Sequence, residues 1–398
     1  MAQEKKYIPE LRFPEFKNDG GWILETIGTI ADTFSGGTPT VGNREYYGGD
    51  IPFIRSGEIS NDKTELFITE SGLSNSSARM VDKGTILYAM YGATSGEVAI
   101  SKISGAINQA ILAIIPKKQE YNSRYIYHYL KHNKQYILSK YLQGGQGNLS
   151  ANIINNLPIY LPCDSEGKVS IKEQQKIADC LSSLEEYINV TKQKVYQLKE
   201  HKKGLMQRLF PARGKTTPEF RFPEFQNDGE WVEIQFGSII NVNSGKDYKH
   251  LNVGNIPVYG TGGYMLSVND RLSDIDAVGI GRKGTIDKPQ YLKAPFWTVD
   301  TLFFLTSRKN YDIRFIYYLC QTIPWKTYGE QTGVPSLLKT SIDKLEVTIT
   351  TNIEEQQKIA QYVHYLDNMV EAIEKKMSLL ETHKCGIMQN LFPNLNIY

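Results

Sequence analysis

The chain has 398 residues, 40% of them apolar and 22% charged, with a formal net charge of +2. That make-up describes two or three folded domains and excludes a disordered polyelectrolyte, while a near-neutral total still permits local basic patches. No apolar run is long enough to span a bilayer and no signal-peptide pattern opens the sequence, so the expectation is a cytoplasmic protein with no membrane contact; four scattered Cys without a CxxC pair and six His without a cluster argue against a disulfide or zinc framework.

In chain order, the first marked stretch is Pro9–Trp22, PELRFPEFKNDGGW, which returns at Pro218–Trp231 as PEFRFPEFQNDGEW, 209 residues on. A globular stretch comes after each copy. Gly84–Tyr91 and Ile111–Pro116 in the first, and Ala277–Ile280 and Thr301–Thr306 in the second, predict strands separated by Gly-containing turns. Ser123–Leu142 and Asp312–Tyr328 predict short helices, the second broken by Pro324. Ile159–Leu161 and Val347–Ile349 predict a last strand at the end of each globular stretch.

Beyond each last strand lies a long stretch that is also written twice. Glu173–Pro211 begins EQQKIA and ends LFP, and it returns at Glu355–Pro393, 182 residues on and without a gap. In the first copy Ile177, Leu181, Leu184, Ile188, Thr191, Val195, Leu198, Lys202, Leu205 and Leu209 recur at alternating steps of four and three. The second copy gives Ile359, Val363, Leu366, Val370, Ile373, Met377, Leu380, Lys384, Ile387 and Leu391, and only Thr191, Lys202 and Lys384 interrupt the apolar seam. A 3.5-residue period predicts two long helices that pair, each ~55 Å long and each stopped by its proline. The offset falls from 209 at the first motif to 182 at the helix, so the second globular stretch is the shorter by 27 residues. A helical frame of constant length carries two variable middles.

Motifs for catalysis are missing. Gly279, Gly281 and Gly284 fit GxGxxG, but Thr285–Pro289 is a poor helix start, so a turn presenting Arg282 and Lys283 is the reading. Gly214-Lys215-Thr216 lacks the earlier glycine of a phosphate-binding loop. No methyltransferase tetrapeptide, nuclease carboxylate pair or nucleophile–base pair stands out, and no metal site does. The chain is expected to be non-catalytic by itself.

What remains are polar and basic residues among glycines, the side chains that read base edges and the backbone that approaches phosphates. In the first middle the candidates for DNA contact are Thr38, Arg55, Ser56, Tyr88, Tyr91, Gln109, Gln143, Gln146 and Asn148. In the second they are Lys246, Tyr248, Lys249, Tyr259, Thr261, Arg282, Lys283, Lys288, Gln331 and Ser336.

These features together resemble the specificity subunit of type I restriction–modification systems. The resemblance covers essentially the whole chain and is carried by EQQKIA at Glu173–Ala178 and Glu355–Ala360, RFPEF at Arg12–Phe16 and Arg221–Phe225, GLMQRLFP at Gly204–Pro211, and the loops SGGTPT (Ser35–Thr40) and GDIPFIRSGEI (Gly49–Ile59). It implies a mixed α/β (α+β) fold: two target-recognition domains separated by two long antiparallel coiled-coil helices in a pseudo-two-fold repeat. The corresponding boundaries are 1–168 and 212–350 for the recognition domains, and 169–211 and 351–398 for the helices.

The resemblance further implies that each domain reads one half of an asymmetric, bipartite site in double-stranded DNA, and that the helices set the spacer. Two modification subunits would methylate adenine N6 with S-adenosylmethionine. Restriction subunits would translocate and cut DNA with ATP and Mg²⁺, so this chain itself would bind no cofactor. The residues alone leave two alternatives open: a free-standing DNA-binding protein of repressor type, and a coiled-coil scaffold with carbohydrate- or peptide-binding ends.

Overall fold

A computed structural model describes residues 7–117, 119–142, 148–329 and 335–393. The chain forms two compact units, residues 1–190 with 377–398, and residues 191–376. Each contains one mixed α/β domain and a segment of both long helices.

In the first unit the strands are β1 (Ile23–Thr26), β2 (Ala31–Ser35), β3 (Tyr47–Ile54), β4 (Phe67–Ile68), β5 (Arg79–Val81), β6 (Ile86–Ala89), β7 (Val98–Ile100), β8 (Gly105–Ile107), β9 (Ile111–Pro116) and β10 (Pro158–Leu161). They form two four-stranded sheets, ordered β2-β9-β6-β7 and β4-β3-β8-β5, and a separate pair β1-β10. Ile86, Leu87, Tyr88 and Ala89 are all fully buried, which is why β6 reads as an unbroken apolar run.

The second unit repeats this plan with β11 (Val232–Gln235), β12 (Ile240–Ser244), β13 (Val253–Gly260), β14 (Gly263–Val268), β15 (Ala277–Gly281), β16 (Gln290–Leu292), β17 (Trp297–Thr298), β18 (Leu302–Ser307) and β19 (Glu346–Ile349). The sheet orders β12-β18-β15-β16 and β14-β13-β17, with the pair β11-β19, reproduce the first unit's orders. In place of β5 the second unit has a single bridge, Ser273 to Phe296.

The expected helix over Ser123–Leu142 is two helices, Ser123–His132 and Lys134–Tyr141, because Asn133 turns the chain between them. Its counterpart runs over Ile313–Thr322 and stops ahead of Pro324, as the proline requires. The long helices cover Ile171–Leu209 and Ile353–Leu391 without interruption. Ser170 and Asn352 cap them, accepting from the amides of Glu173 (3.3 Å) and Glu354 (2.9 Å).

The duplicated motifs turn out to be two halves of one clasp. Arg12 of RFPEF meets Glu173 of EQQKIA through paired bonds of 2.8 and 2.7 Å, and its remaining nitrogen donates to the carbonyls of Asp19 and Gly20. Arg221 and Glu355 repeat this at 2.7 and 2.8 Å, with the carbonyls of Asp228 and Gly229. Further along the same motifs, Lys176 pairs with Glu15 and Lys358 with Glu224, at 3.0 and 3.1 Å. Gln174 and Gln356 accept from the backbone amides of Asn122 and Asp312, tying each long helix to the head of its domain's short helix.

The LFP endings plug the cores. In the first unit Met388, Leu391 and Phe392 from the end of the second helix are buried with Ile177, Ala178 and Leu181 from the start of the first. In the second unit Met206, Leu209 and Phe210 are buried with Ile359, Ala360 and Val363. Phe392 meets Tyr125 and Tyr129 edge-on with centroids 5.6 and 5.4 Å apart. The end of one helix thus packs beside the start of the other within each unit, the antiparallel sense that the resemblance implies. Every seam position from Ile177 to Leu209 and from Ile359 to Leu391 is buried or half-buried.

Candidate nucleic-acid interface

In the first unit, backbone hydrogen bonds gather several candidate loops at the edge of the sheets. The amide of Gly37 donates to the carbonyl of Ile107 (3.2 Å), that of Met90 to Ala110 (2.8 Å), and that of Leu149 to Met90 (3.0 Å). The Thr38 hydroxyl lies 2.6 Å from the Gln109 amide oxygen, and both residues are exposed. This network brings the loop carrying Thr38, the turn carrying Gln109, the turn starting at Tyr91, and Asn148 together. Gly36 permits the close approach, since a Cβ there would come within 1.8 Å of the Ile107 carbonyl oxygen.

The second unit repeats the arrangement with different side chains. Amides of Lys246, Arg282 and Leu337 donate to the carbonyls of Thr298, Thr301 and Arg282 at 2.9, 2.8 and 2.9 Å. Lys283 bridges to Ser336, and Gly284 takes φ +83° just as Gly92 takes φ +74°. Tyr91 and Lys283 therefore occupy equivalent turns, and Asn148 and Ser336 equivalent places ahead of the next short helix. Gln290 donates to the carbonyls of Gly260 and Thr261, which holds the Tyr259–Thr261 turn against the same end. Lys246, Lys249, Arg282, Lys283 and Lys288 are all exposed. Tyr248 is half-buried against Trp297 and its neighbours.

Three candidates of the first domain fall outside this network. Tyr88 is fully buried, its ring in the core of the first domain, so it is not a surface residue. A tyrosine between Leu87 and Ala89 belongs to a strand covered on both faces, and the turn residue of that segment is Tyr91. Arg55 is taken up by two carboxylates: Glu58 at 2.9 and 3.1 Å and Glu65 at 2.7 Å. Its hydrogen bonds hold the Glu58 carboxyl at about 2, far below the ordinary carboxylate range. Ser56 opens the short turn beside it. Gln143, Gln146 and Gln331 lie outside the described residues.

Sequence reasoning passed over Arg79. It is exposed at the start of β5, and its guanidinium carbon sits 3.8 Å from the centroid of the Phe34 ring. No local signal marks it, because only the pairing of β5 with β8 brings it beside the Thr38–Gln109 cluster.

Among the described residues no group of three or more His, Cys, Asp or Glu could hold a metal ion, and no helix is long and apolar enough to cross a membrane. The GxGxxG glycines belong to a strand and turn rather than a strand–helix junction.

A duplicated mixed α/β domain, each copy clasped to a long helix and offering a polar, glycine-bounded loop cluster, defines a two-domain recognition scaffold. The chain belongs to the family described as type I restriction modification DNA specificity domain, whose model matches residues 20–200 and 228–382. It is 22% identical to the type I restriction enzyme MjaVIII specificity subunit of Methanocaldococcus jannaschii, over 97% of this chain and 94% of that protein. The crystal structure of a type I restriction–modification system S subunit from M. genitalium superimposes with a TM-score of 0.69 at 20% identity, covering 97% of this chain and 99% of the other. A second solved structure, described for complex assembly and conformational transition of the type I system, matches with a TM-score of 0.54 at 14% identity, over 94% and 98%. The likeness in fold extends over both domains and both helices.

Proposed function

We propose that this chain is the DNA sequence-specificity subunit of a type I restriction–modification complex, with residues 1–168 and 212–350 each reading one half of an asymmetric, bipartite site. The observation that carries this is the duplication of one loop cluster in two domains of the same plan but different side chains. Thr38, Gln109, Tyr91 and Asn148 stand in one, and Lys246, Arg282, Lys283 and Ser336 in the other. Two identical readers would fit a palindrome; two divergent readers on one frame suit a split asymmetric site.

The long helices, within 169–211 and 351–398, would set the number of unread base pairs and carry two adenine-N6 methyltransferase subunits, with restriction subunits joining to translocate and cleave. S-adenosylmethionine, ATP and Mg²⁺ would then be bound by those partners, and this chain would act without chemistry of its own, in the cytoplasm where the DNA is. The duplicated clasp and plug motifs support a frame that must hold its shape while the readers vary.

The test is single-molecule sequencing of adenine methylation in cells carrying the methyltransferase partner, with and without this chain. One split motif methylated only when the chain is present is the expected result. Methylation that never depends on the chain, together with tight DNA binding by the chain alone, would favour a free-standing DNA-binding protein instead.

A further inference from the structure

Arg79 stands where a base-reading side chain needs to stand. It faces Ile107 in the pairing of β5 with β8, two residues before Gln109. The Gly37–Thr38 loop is pressed against the segment entering β5, since a Cβ on Gly37 would come within 2.5 Å of the Ser77 Cβ. Arg79, Thr38 and Gln109 therefore share one rim.

The guanidinium of Arg79 stacks on Phe34, 3.8 Å from the ring centroid, and none of the ion pairs among the described residues uses it. Phe34 is itself seated on the buried cluster that includes Ile107 and Ile111. A planar fork held flat by an aromatic ring loses little freedom on binding and keeps its five donors for an outside acceptor. Arg55, by contrast, is occupied by Glu58 and Glu65. Gln109 accepts from Thr38 and keeps its amide NH₂ for a further partner.

The second unit does not repeat the stack at the same positions; there Arg282 lies over the Phe303 ring instead, 5.7 Å from its centroid. Counting back from the Ser273–Phe296 bridge, Arg271 takes the place of Arg79, and it is ion-paired with Asp274. The place of Phe34, the fourth residue of its strand, is taken by Asn243.

We infer that Arg79 reads a guanine in the half-site bound by the first unit, its fork on O6 and N7, with the Thr38-anchored Gln109 beside it. This rests on the specificity role proposed above and names the base that role requires. The bidentate fork to guanine O6 and N7 is the commonest specific arginine contact in the major groove.

The experiment uses the assembled methyltransferase complex on a randomised DNA library, with the wild-type chain, Arg79→Ala and Arg79→Lys. If the wild type methylates no split motif, the specificity role itself fails. If it does, Arg79→Ala is expected to relax one guanine of one half-site by roughly tenfold, with the other half-site unchanged. Arg79→Lys, which keeps the charge without the fork, is expected to relax the same position. A uniform fall across all sequences marks a phosphate contact and overturns the inference, as does an unchanged consensus. Should both variants fail to assemble, wild-type complex on oligonucleotides carrying 7-deazaguanine decides. Loss of methylation at a single guanine of one half-site upholds the inference, and insensitivity at every guanine overturns it.

Discussion

Lys384 lies 3.4 Å from Glu185 in the first unit, and moving each number by 182 residues gives Lys202 and Asp367, which are ion-paired in the second. The two lysines that interrupt the apolar seam are thus counterparts in the repeat, each meeting an acid on the opposite helix. Glu185 also accepts from Tyr127 and Lys131 of its domain's short helix, and Asp367 from the Tyr318 hydroxyl at 2.8 Å. Burial works to raise the Glu185 carboxyl, but Lys131 and Lys384 together hold it below the ordinary range. These acids join helix, partner helix and domain in one place. Lys202→Met alone is expected to cost about 1–3 kcal/mol, because Asp367 keeps only the tyrosine. Lys202→Met with Asp367→Leu should recover most of that loss, measured as a double-mutant cycle in urea. Lys384→Met should cost less than Lys202→Met, since Lys131 still serves Glu185.

The Arg12–Glu173 clasp is nearly closed to solvent, with side chains 6% and 1% exposed. Removing one partner leaves a buried charge, so Arg12→Ala is expected to destabilise the first unit by about 3–5 kcal/mol. Arg12→Lys should not restore it, because an ammonium cannot match the two-pronged contact or reach the Asp19 and Gly20 carbonyls together. Breaking the half-exposed Lys176–Glu15 pair should cost under ~1 kcal/mol. Denaturant midpoints of the three variants check the ranking.

Phe392 lies at the far end of the sequence from the first domain, yet its ring is buried against Tyr125 and Tyr129. Phe392→Ala is expected to cost about 3–5 kcal/mol and to lower the melting of the first unit selectively. Phe210→Ala should do the same to the second. Limited proteolysis followed by mass spectrometry would show which domain opens first.

His128 is buried against the long helix, with Nε2 3.0 Å from the Ser182 hydroxyl. Burial, the largest influence, outweighs the pull of Glu185 and lowers its pKa to about 4. The imidazole is therefore neutral when folded, while an unfolded histidine binds its proton near pH 6.5. Its contribution to stability is complete above about 6.5 and is lost as pH falls toward 4, by about 2 kcal/mol at pH 5. The second unit carries Tyr318 at this place, and its own lowered histidine, His364, is half-buried on the long helix. Acid should unfold the first unit before the second, and His128→Gln should flatten the difference between unfolding curves at pH 7.5 and 5.

Inserting four residues after Lys192 would lengthen the first long helix by ~6 Å. Under the proposed role, methylation should move to a site with a longer spacer while both half-site sequences stay the same. Sequencing of methylated DNA from cells carrying the variant reads this directly; unaltered methylation of the original site would separate helix length from spacing.

Much of this protein is determined by its sequence alone. A heptad period and a proline stop specify a long paired helix wherever they occur, because the helix is built from contacts within four residues and one apolar stripe. The constant 182-residue offset, repeated through every seam position, determined the two-fold plan for the same reason. What the motifs do was decided only by tertiary structure. RFPEF and EQQKIA mark the family in the sequence, but that Arg12 and Glu173 grip each other across 161 positions depends on packing that no local pattern encodes. The site shows the same division. Glycine-bounded loops singled out Thr38, Gln109, Lys283 and Ser336 as candidates, since turn chemistry is local. Whether an arginine is free or spent depends on the carboxylates that folding brings to it. Arg55 is held by Glu58 and Glu65, and Arg79 is left on Phe34 with its fork unused, because β5 happens to pair with β8.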